Sequence, residues 1–373
     1  MTSWLISDRA CSPDPGQTSA VFSAGDFDAA SRFFDAHPDL ARTPLVSLPA
    51  LARGLGLGAV LAKDETARGG LQAFKVLGAL FAIEQLLADG TLAPGQTLVC
   101  ASEGNHGRGV AHTARKVGCR ARVYLSTSVA DARAAAIASE GAEVVRVAGS
   151  YDDAVRRATA DAETHGWTVI SDTSWPGYER IPRLIMLGYT RLLDEVATSL
   201  PAGSRPDVVF VPGGVGGLLA AVATWSHMRW GPATRVVAVE PVSAACLQAS
   251  ARAGRPTTVP GPFTTIMGPL RCGEVSTLAF AAAFPVVVGY IAIDDEWAIR
   301  AMRRLARPDG GDARLLAGAS GAAALGGLMA AVEDPSASTF REALDLGSRS
   351  TVLLIVTEGI TDPPLWRDVV GDA

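Results

Sequence analysis

KDETARGGLQAFKVLGAL, residues 63–80, decides the reading of this chain, and Phe74–Lys75 is its centre. The chain has three lysines, Lys63, Lys75 and Lys116, among 33 basic residues, so a lysine stands out wherever it falls. Arginine stays protonated in proteins, whereas a lysine amine can lose its proton and form a Schiff base. Lys75 follows the mostly apolar run Leu71-Gln72-Ala73-Phe74 and opens an apolar helical pattern through Val76, Leu77, Leu80, Phe81, Ile83, Leu86 and Leu87. That position predicts an amine near a helix start, in surroundings that favour its neutral form. A surface lysine in the first turn of an amphipathic helix has the same local pattern, so its meaning depends on the rest of the chain.

Working outward, Val60–Lys63 reads as a short strand before this segment, and Arg42–Leu45 as an extended entry fixed by Pro44. Residues 1–40 read as irregular apart from a helix over 26–36. Downstream, strands at 98–101, 122–125, 143–147, 168–171, 208–211, 235–239 and 352–356 alternate with helices, one of them running from Pro182 to Ser199. Pro285 and Gly289 split the most apolar stretch, 276–293, into a short helix and a β-branched run that suits buried core better than a membrane span. The Ala- and Gly-rich stretch 312–333 fits a closely packed helix. The alternation predicts an α/β architecture with mostly parallel sheets.

The composition suits a folded enzyme of about two domains: 373 residues, 48% hydrophobic, 19% charged and a formal net charge of −5. No basic run interleaved with aromatics points to nucleic acid. The N-terminus lacks a basic region followed by an apolar one, so no secretory signal is read. Five scattered cysteines, Cys11, Cys100, Cys119, Cys246 and Cys272, indicate neither a disulfide framework nor a metal site. A reducing cytoplasm is the expected compartment.

In open parallel sheets ligands gather at the carboxyl ends of strands. Gly213-Gly214-Val215-Gly216-Gly217 lies at such an end and before an apolar helix, where backbone N–H groups can approach an anion. No Gly-Lys-Ser/Thr follows, so it is not the phosphate loop of nucleotide hydrolases. Ser102-Glu103-Gly104-Asn105-His106-Gly107 lies at another strand-to-helix junction. There Asn105 can donate to a phenolate-like oxygen while the glycines admit a flat ring, or it can simply cap a turn. His106 is given no chemistry, and Cys272 reads as a buried structural thiol.

Lysine after Ala-Phe, then S-x-G-N-H, then a glycine-rich loop resembles the fold type II family of pyridoxal-phosphate (PLP) enzymes, whose prototype is the tryptophan synthase β-subunit. More narrowly, KDETARGGLQAFKVLG, EGNHGRGVA, DTSWPGYERIP, IMLGY, MGPLRCGE and TEGITDP resemble the diaminopropionate ammonia-lyases, over residues 63–363. The resemblance implies a larger PLP-binding domain of residues 1–85 and 190–373, a smaller α/β domain of residues 86–189, and a homodimer. It implies that Lys75, flanked by Phe74, holds PLP and, once freed by a small amino-acid substrate, moves the Cα proton. Asn105 would bond the ring hydroxyl, and Gly213, Gly214, Val215, Gly216 and Gly217 the phosphate.

Thr357 would face the pyridine nitrogen, where a neutral hydroxyl leaves the ring unprotonated and favours loss of a β-substituent. The alternative is a strand-end threonine bonded to nearby backbone. Asp172 matches the acidic residue of the family's DTSW-type motif and would contact the substrate's amino group or assist its departure. The alternative is an N-cap before the Trp175-Pro176-Gly177 turn.

Two departures stand out. Glu103 replaces the family's Asp, which takes the proton from one substrate enantiomer, and reaches one methylene further. The family's G-E-S-G is Gly318-Ala319-Ser320-Gly321 here, which removes a carboxylate from the expected cofactor site. The expected reaction is α,β-elimination of 2,3-diaminopropionate to pyruvate and ammonia. Serine or threonine dehydration, β-replacement, or PLP binding without catalysis are the alternatives.

Overall fold

The computed structural model describes residues 1–7 and 21–371, so Cys11 lies outside the described residues. Eleven strands alternate with helices. They are β1 (Ser3–Ile6), β2 (Leu45–Ser47), β3 (Ala59–Asp64), β4 (Thr97–Ala101), β5 (Arg120–Ser126) and β6 (Glu143–Val147). The rest are β7 (Thr168–Val169), β8 (Val208–Pro212), β9 (Arg235–Pro241), β10 (Val287–Ile293) and β11 (Thr351–Val356). They form a seven-stranded sheet in the order β1-β10-β9-β8-β11-β3-β2 and a four-stranded sheet in the order β6-β5-β4-β7. All ladders are parallel except β1–β10 and β2–β3 at the two edges of the larger sheet. The central strands β8 and β11 are almost wholly buried, as expected of strands covered on both faces.

The expected α/β architecture is therefore present, with local differences. Strands β1 and β2 are not evident in the sequence, because edge strands of four and three residues carry almost no periodicity. The expected helix at 26–36 is Ala24–Asp35, started two residues early by Ser23, which forms a reciprocal capping box with Asp26. The single helix expected from Pro182 to Ser199 is two, Arg180–Tyr189 and Arg191–Ser199. At the break the Thr190 hydroxyl donates to Leu187 O at 2.6 Å. Such back-bonding bends helices.

The Lys75–Ala88 helix is buried along most of its length rather than amphipathic. It packs on the Arg180–Tyr189 helix through two glycines. A Cβ on Gly188 would lie 2.5 Å from Leu77 O, and one on Gly78 would lie 2.5 Å from Tyr189 Cε1. The close approach brings Lys75 and Tyr189 together, and the Phe74 and Tyr189 rings meet edge to face at 4.7 Å.

Ahead of Lys75, the chain from β3 is fixed by a buried charge network. Lys63 Nζ lies 2.5 Å and Arg68 Nη2 2.6 Å from Glu195 Oε2. Arg68 Nε also pairs with Glu65 Oε2 at 2.7 Å, and all four side chains are buried. Such networks hold register at a desolvation cost that only good geometry offsets. This one ties the segment leading into Lys75 to the Arg191–Ser199 helix.

Candidate active site

The carboxyl ends of β3, β4, β7, β8 and β11 converge, and the segments that leave them line one cleft. Its walls hold Phe74, Lys75, Glu103, Asn105, Asp172, Gly214, Val215, Gly216, Gly217 and Thr357. Gly213 stands just outside that lining, and its N–H donates to Val239 O at 2.8 Å.

Lys75 is the first residue of its helix. The preceding turn is held by the strand end of β11: Phe74 N–H donates to Thr357 O at 3.2 Å and Gly359 N–H to Gln72 O at 2.8 Å. Gln72 adopts φ +61°, a left-handed conformation uncommon for a residue with a side chain. Lys75 Nζ donates to Asp172 Oδ2 at 2.6 Å. Burial pushes the Lys75 amine down, but the Asp172 carboxylate outweighs it and holds the amine above its ordinary value. The neutral amine expected from the apolar sequence context is thus overturned in this arrangement, by an acid that lies far along the chain.

Asp172 itself is pushed up by burial, yet His106 and Lys75 together bring it down to about 2. Its backbone follows β7 and leads into the stacked Trp175–Tyr178 turn, where Tyr178 OH donates to Val169 O at 2.8 Å. His106 Nε2 lies 2.8 Å from Ile170 O, and its buried Nδ1, 3.8 Å from Asp172 Oδ2, makes no hydrogen bond. Burial and the Lys75 charge keep this imidazole below its ordinary value, against the pull of Asp172. Nothing local to His106 marks it for this position, since its neighbour Asp172 is close only in the fold.

Asn105 begins its helix after Gly104, whose φ of +137° suits glycine. Ser102 Oγ anchors the loop by accepting from Gly104 N–H and Gly107 N–H, each at 2.9 Å. Glu103 Oε2 accepts from Arg271 Nη2 at 3.2 Å, and Glu103 O accepts from Arg133 Nη1 at 3.2 Å. Burial raises the Glu103 carboxyl while both arginines oppose it.

The glycine loop joins β8 to the Gly217–Trp230 helix, with Gly216 at φ +99° capping the helix start. A Cβ on Gly214 would lie 3.3 Å from Cys272 Sγ and Pro269 O, so side chains there would intrude on the cradle. Thr357 Oγ1 donates to Ser320 O at 3.4 Å, the backbone contact weighed as its alternative, while the residue also lines the cleft.

Two lining residues escaped the sequence reading. Ser320 Oγ is buried without a hydrogen-bond partner. Glu358 is 1% exposed, and its Oε2 accepts from Asn105 Nδ2 at 2.5 Å and Thr361 Oγ1 at 3.0 Å. The motif TEGITDP was the only sequence signal for it. Glu358 gives the site a carboxylate of its own, separate from the one absent at Ala319.

These features fit PLP. A half-buried amine stands at a helix start, a glycine cradle at a helix N-terminus, and unpartnered buried polar atoms face the cleft. The model of the pyridoxal-phosphate dependent enzyme family matches residues 37–358, and the chain belongs to that family.

Within the family, the chain is 36% identical to the diaminopropionate ammonia-lyase of Escherichia coli K12, over 96% of this chain and 94% of that protein. It is also 36% identical to the diaminopropionate ammonia-lyase of Salmonella typhimurium LT2, over 89% of each. The crystal structure of the E. coli enzyme in complex with an aminoacrylate-PLP azomethine reaction intermediate superimposes with a TM-score of 0.90 at 35% identity, covering 99% of this chain and 97% of that one.

Proposed function

We propose that this protein catalyses α,β-elimination of ammonia from 2,3-diaminopropionate, yielding pyruvate and ammonia. The observation that carries the reading is Lys75 Nζ at 2.6 Å from Asp172 in the cleft, in a chain alike over nearly its whole length to diaminopropionate ammonia-lyases. Bound PLP supplies an electron sink for the charge left on Cα when its proton departs.

The protein's own groups do the rest. Lys75 Nζ holds the cofactor and, once displaced by substrate, carries the Cα proton. Asp172, ionised beside it, steers the substrate's ammonium groups and passes protons between Lys75 and the departing β-amino group. Glu103 is the acid on the asparagine loop, paired with Arg271. Were PLP bound, the Gly214–Gly217 backbone and its helix N-terminus would hold the phosphate, Phe74 would wall the ring, and Asn105 and Thr357 would hold its polar atoms, whereas Gly213 N–H is already committed to Val239 O.

We assign residues 1–85 with 190–373 to one domain and 86–189 to the other, supported by the residue ranges of the two sheets. A homodimer in the cytoplasm completes the reading; no helix among the described residues is long and apolar enough to cross a membrane. Specificity is tested by comparing kcat/KM for 2,3-diaminopropionate, serine and threonine. Preference for the diamino acid by at least about tenfold is expected; preference for a hydroxy amino acid would make the protein a dehydratase.

A further inference from the structure

Glu358 joins three pieces of the site. Its backbone bridges Ala73, two residues before Lys75. Its carbonyl accepts from Gly318 N–H at 3.1 Å, and a Cβ on Gly321 would lie 2.2 Å from that carbonyl oxygen, so the Gly318–Gly321 turn closes directly on it. Its side chain reaches across to Asn105 on the other sheet's loop, at 2.5 Å. Carboxylate Oε2 takes two donors, from Asn105 and Thr361, while Oε1 is buried with none.

We propose that Glu358 is a positioning residue: it fixes the rotation of the Asn105 amide so that an N–H, not the carbonyl oxygen, faces the ring oxygen of PLP. In the observed rotation it is Nδ2 that donates to the Glu358 carboxylate oxygen. One Nδ2 hydrogen is committed to Glu358, and the second is left for the cofactor. An Asn105 amide rotated by half a turn would set its Oδ1 against Glu358, acceptor against acceptor. The burial of Glu358 sharpens this choice, because no water is at hand to bridge two acceptors. Ala319 adds nothing to the network, so Glu358 is the carboxylate that orders this end of the cleft.

This inference rests on the reading that PLP occupies the cleft, and the test separates the two. Glu358→Gln keeps volume and packing but can donate as well as accept, so both amide rotations become available. Apoprotein is titrated with PLP, and the Kd and visible absorption spectrum are recorded for wild type, Glu358→Gln, Asn105→Ala and the double variant, with Tm measured before PLP is added.

The expected result is a Kd raised about tenfold in Glu358→Gln, the scale of one charge-assisted hydrogen bond, with an altered spectrum and an unchanged apoprotein Tm. In the Asn105→Ala background the same change should alter Kd by less than about twofold, because the group it orients is gone. An unaltered Kd and spectrum in Glu358→Gln would overturn the proposal. So would an equal penalty in both backgrounds, which would assign Glu358 to folding alone. Failure of wild type to take up PLP would instead overturn the cofactor reading on which it rests.

Discussion

Replacing Asp172 by asparagine perturbs the electrostatics of the cleft at their centre. The carboxylate lies 2.6 Å from Lys75 Nζ, and the two side chains are 10% and 21% exposed, so solvent screens the pair weakly. Asp172 is held at about 2 against an ordinary 3.8. That difference, 3.8 − 2, is about two units, or roughly 2–3 kcal/mol at about 1.4 kcal/mol per unit, and is what the attraction leaves after burial has pushed the carboxyl up. The attraction is reciprocal: what favours the carboxylate beside the ammonium favours the ammonium beside the carboxylate. His106 shares the acid's side of it, and Asp172 holds the Lys75 amine above its ordinary value.

In apo Asp172→Asn, burial acts on Lys75 with Tyr189 left to oppose it, and its amine loses a proton at lower pH. Only the neutral amine attacks an aldehyde. The pH midpoint for the rate of PLP uptake, followed by visible absorbance in a stopped-flow mixer, should therefore fall. Turnover of diaminopropionate should fall by about 10²-fold, as expected when a proton carrier is removed. An unchanged midpoint would show that Asp172 does not hold the Lys75 proton, and the reasoning would fail.

Three further outcomes follow from the geometry. Glu195→Ala leaves Lys63 and Arg68 with Glu65 as their remaining acidic partner, and should cost about 3–5 kcal/mol in urea unfolding; a loss under about 1 kcal/mol would contradict the network's role. Asp194 is pushed up to about 6 by burial, against its bond from Trp225 Nε1, so the folded state favours its protonated form. The penalty on folding is absent below pH 3.8, grows as pH rises towards 6 and is full above it, at about 3 kcal/mol for about two units. Asp194→Asn should therefore raise Tm at pH 8 and leave it unchanged at pH 4, and equal shifts at both would refute the assignment. Gly216 sits at φ +99°, where an added Cβ would lie 3.0 Å from Leu247 Cδ2. Gly216→Ala should weaken PLP binding at least about tenfold yet leave pyridoxal binding unchanged, since the strain falls on the phosphate cradle.

Much of the fold was legible because its strands are long apolar runs. The sequence marks 143–147 and 352–356 within a residue of the strands observed, since both are β-branched runs bounded by turns. The edge strands and the break at Thr190 were not legible, because three or four residues carry no period and one hydroxyl decides the break. In the site, glycines and the lone lysine announced themselves by residue type. What the sequence could not show was pairing across the fold. Asp172 beside Lys75 reverses the expected protonation of the amine, Arg271 holds Glu103, and Glu358 reaches Asn105 over a separation of 253 residues. Such contacts are set by which loops meet at the strand ends, and no local pattern records them.

The central claim is that Lys75 drives elimination from a diamino acid. The most direct test measures pyruvate and ammonia released from L- and D-2,3-diaminopropionate by PLP-loaded wild type and Lys75→Ala. Wild type should release two ammonia per pyruvate from at least the L-isomer, and Lys75→Ala should release neither product above the rate of free PLP. A PLP-loaded wild-type protein that forms no pyruvate from either isomer, or a Lys75→Ala variant that still turns over, would contradict the claim.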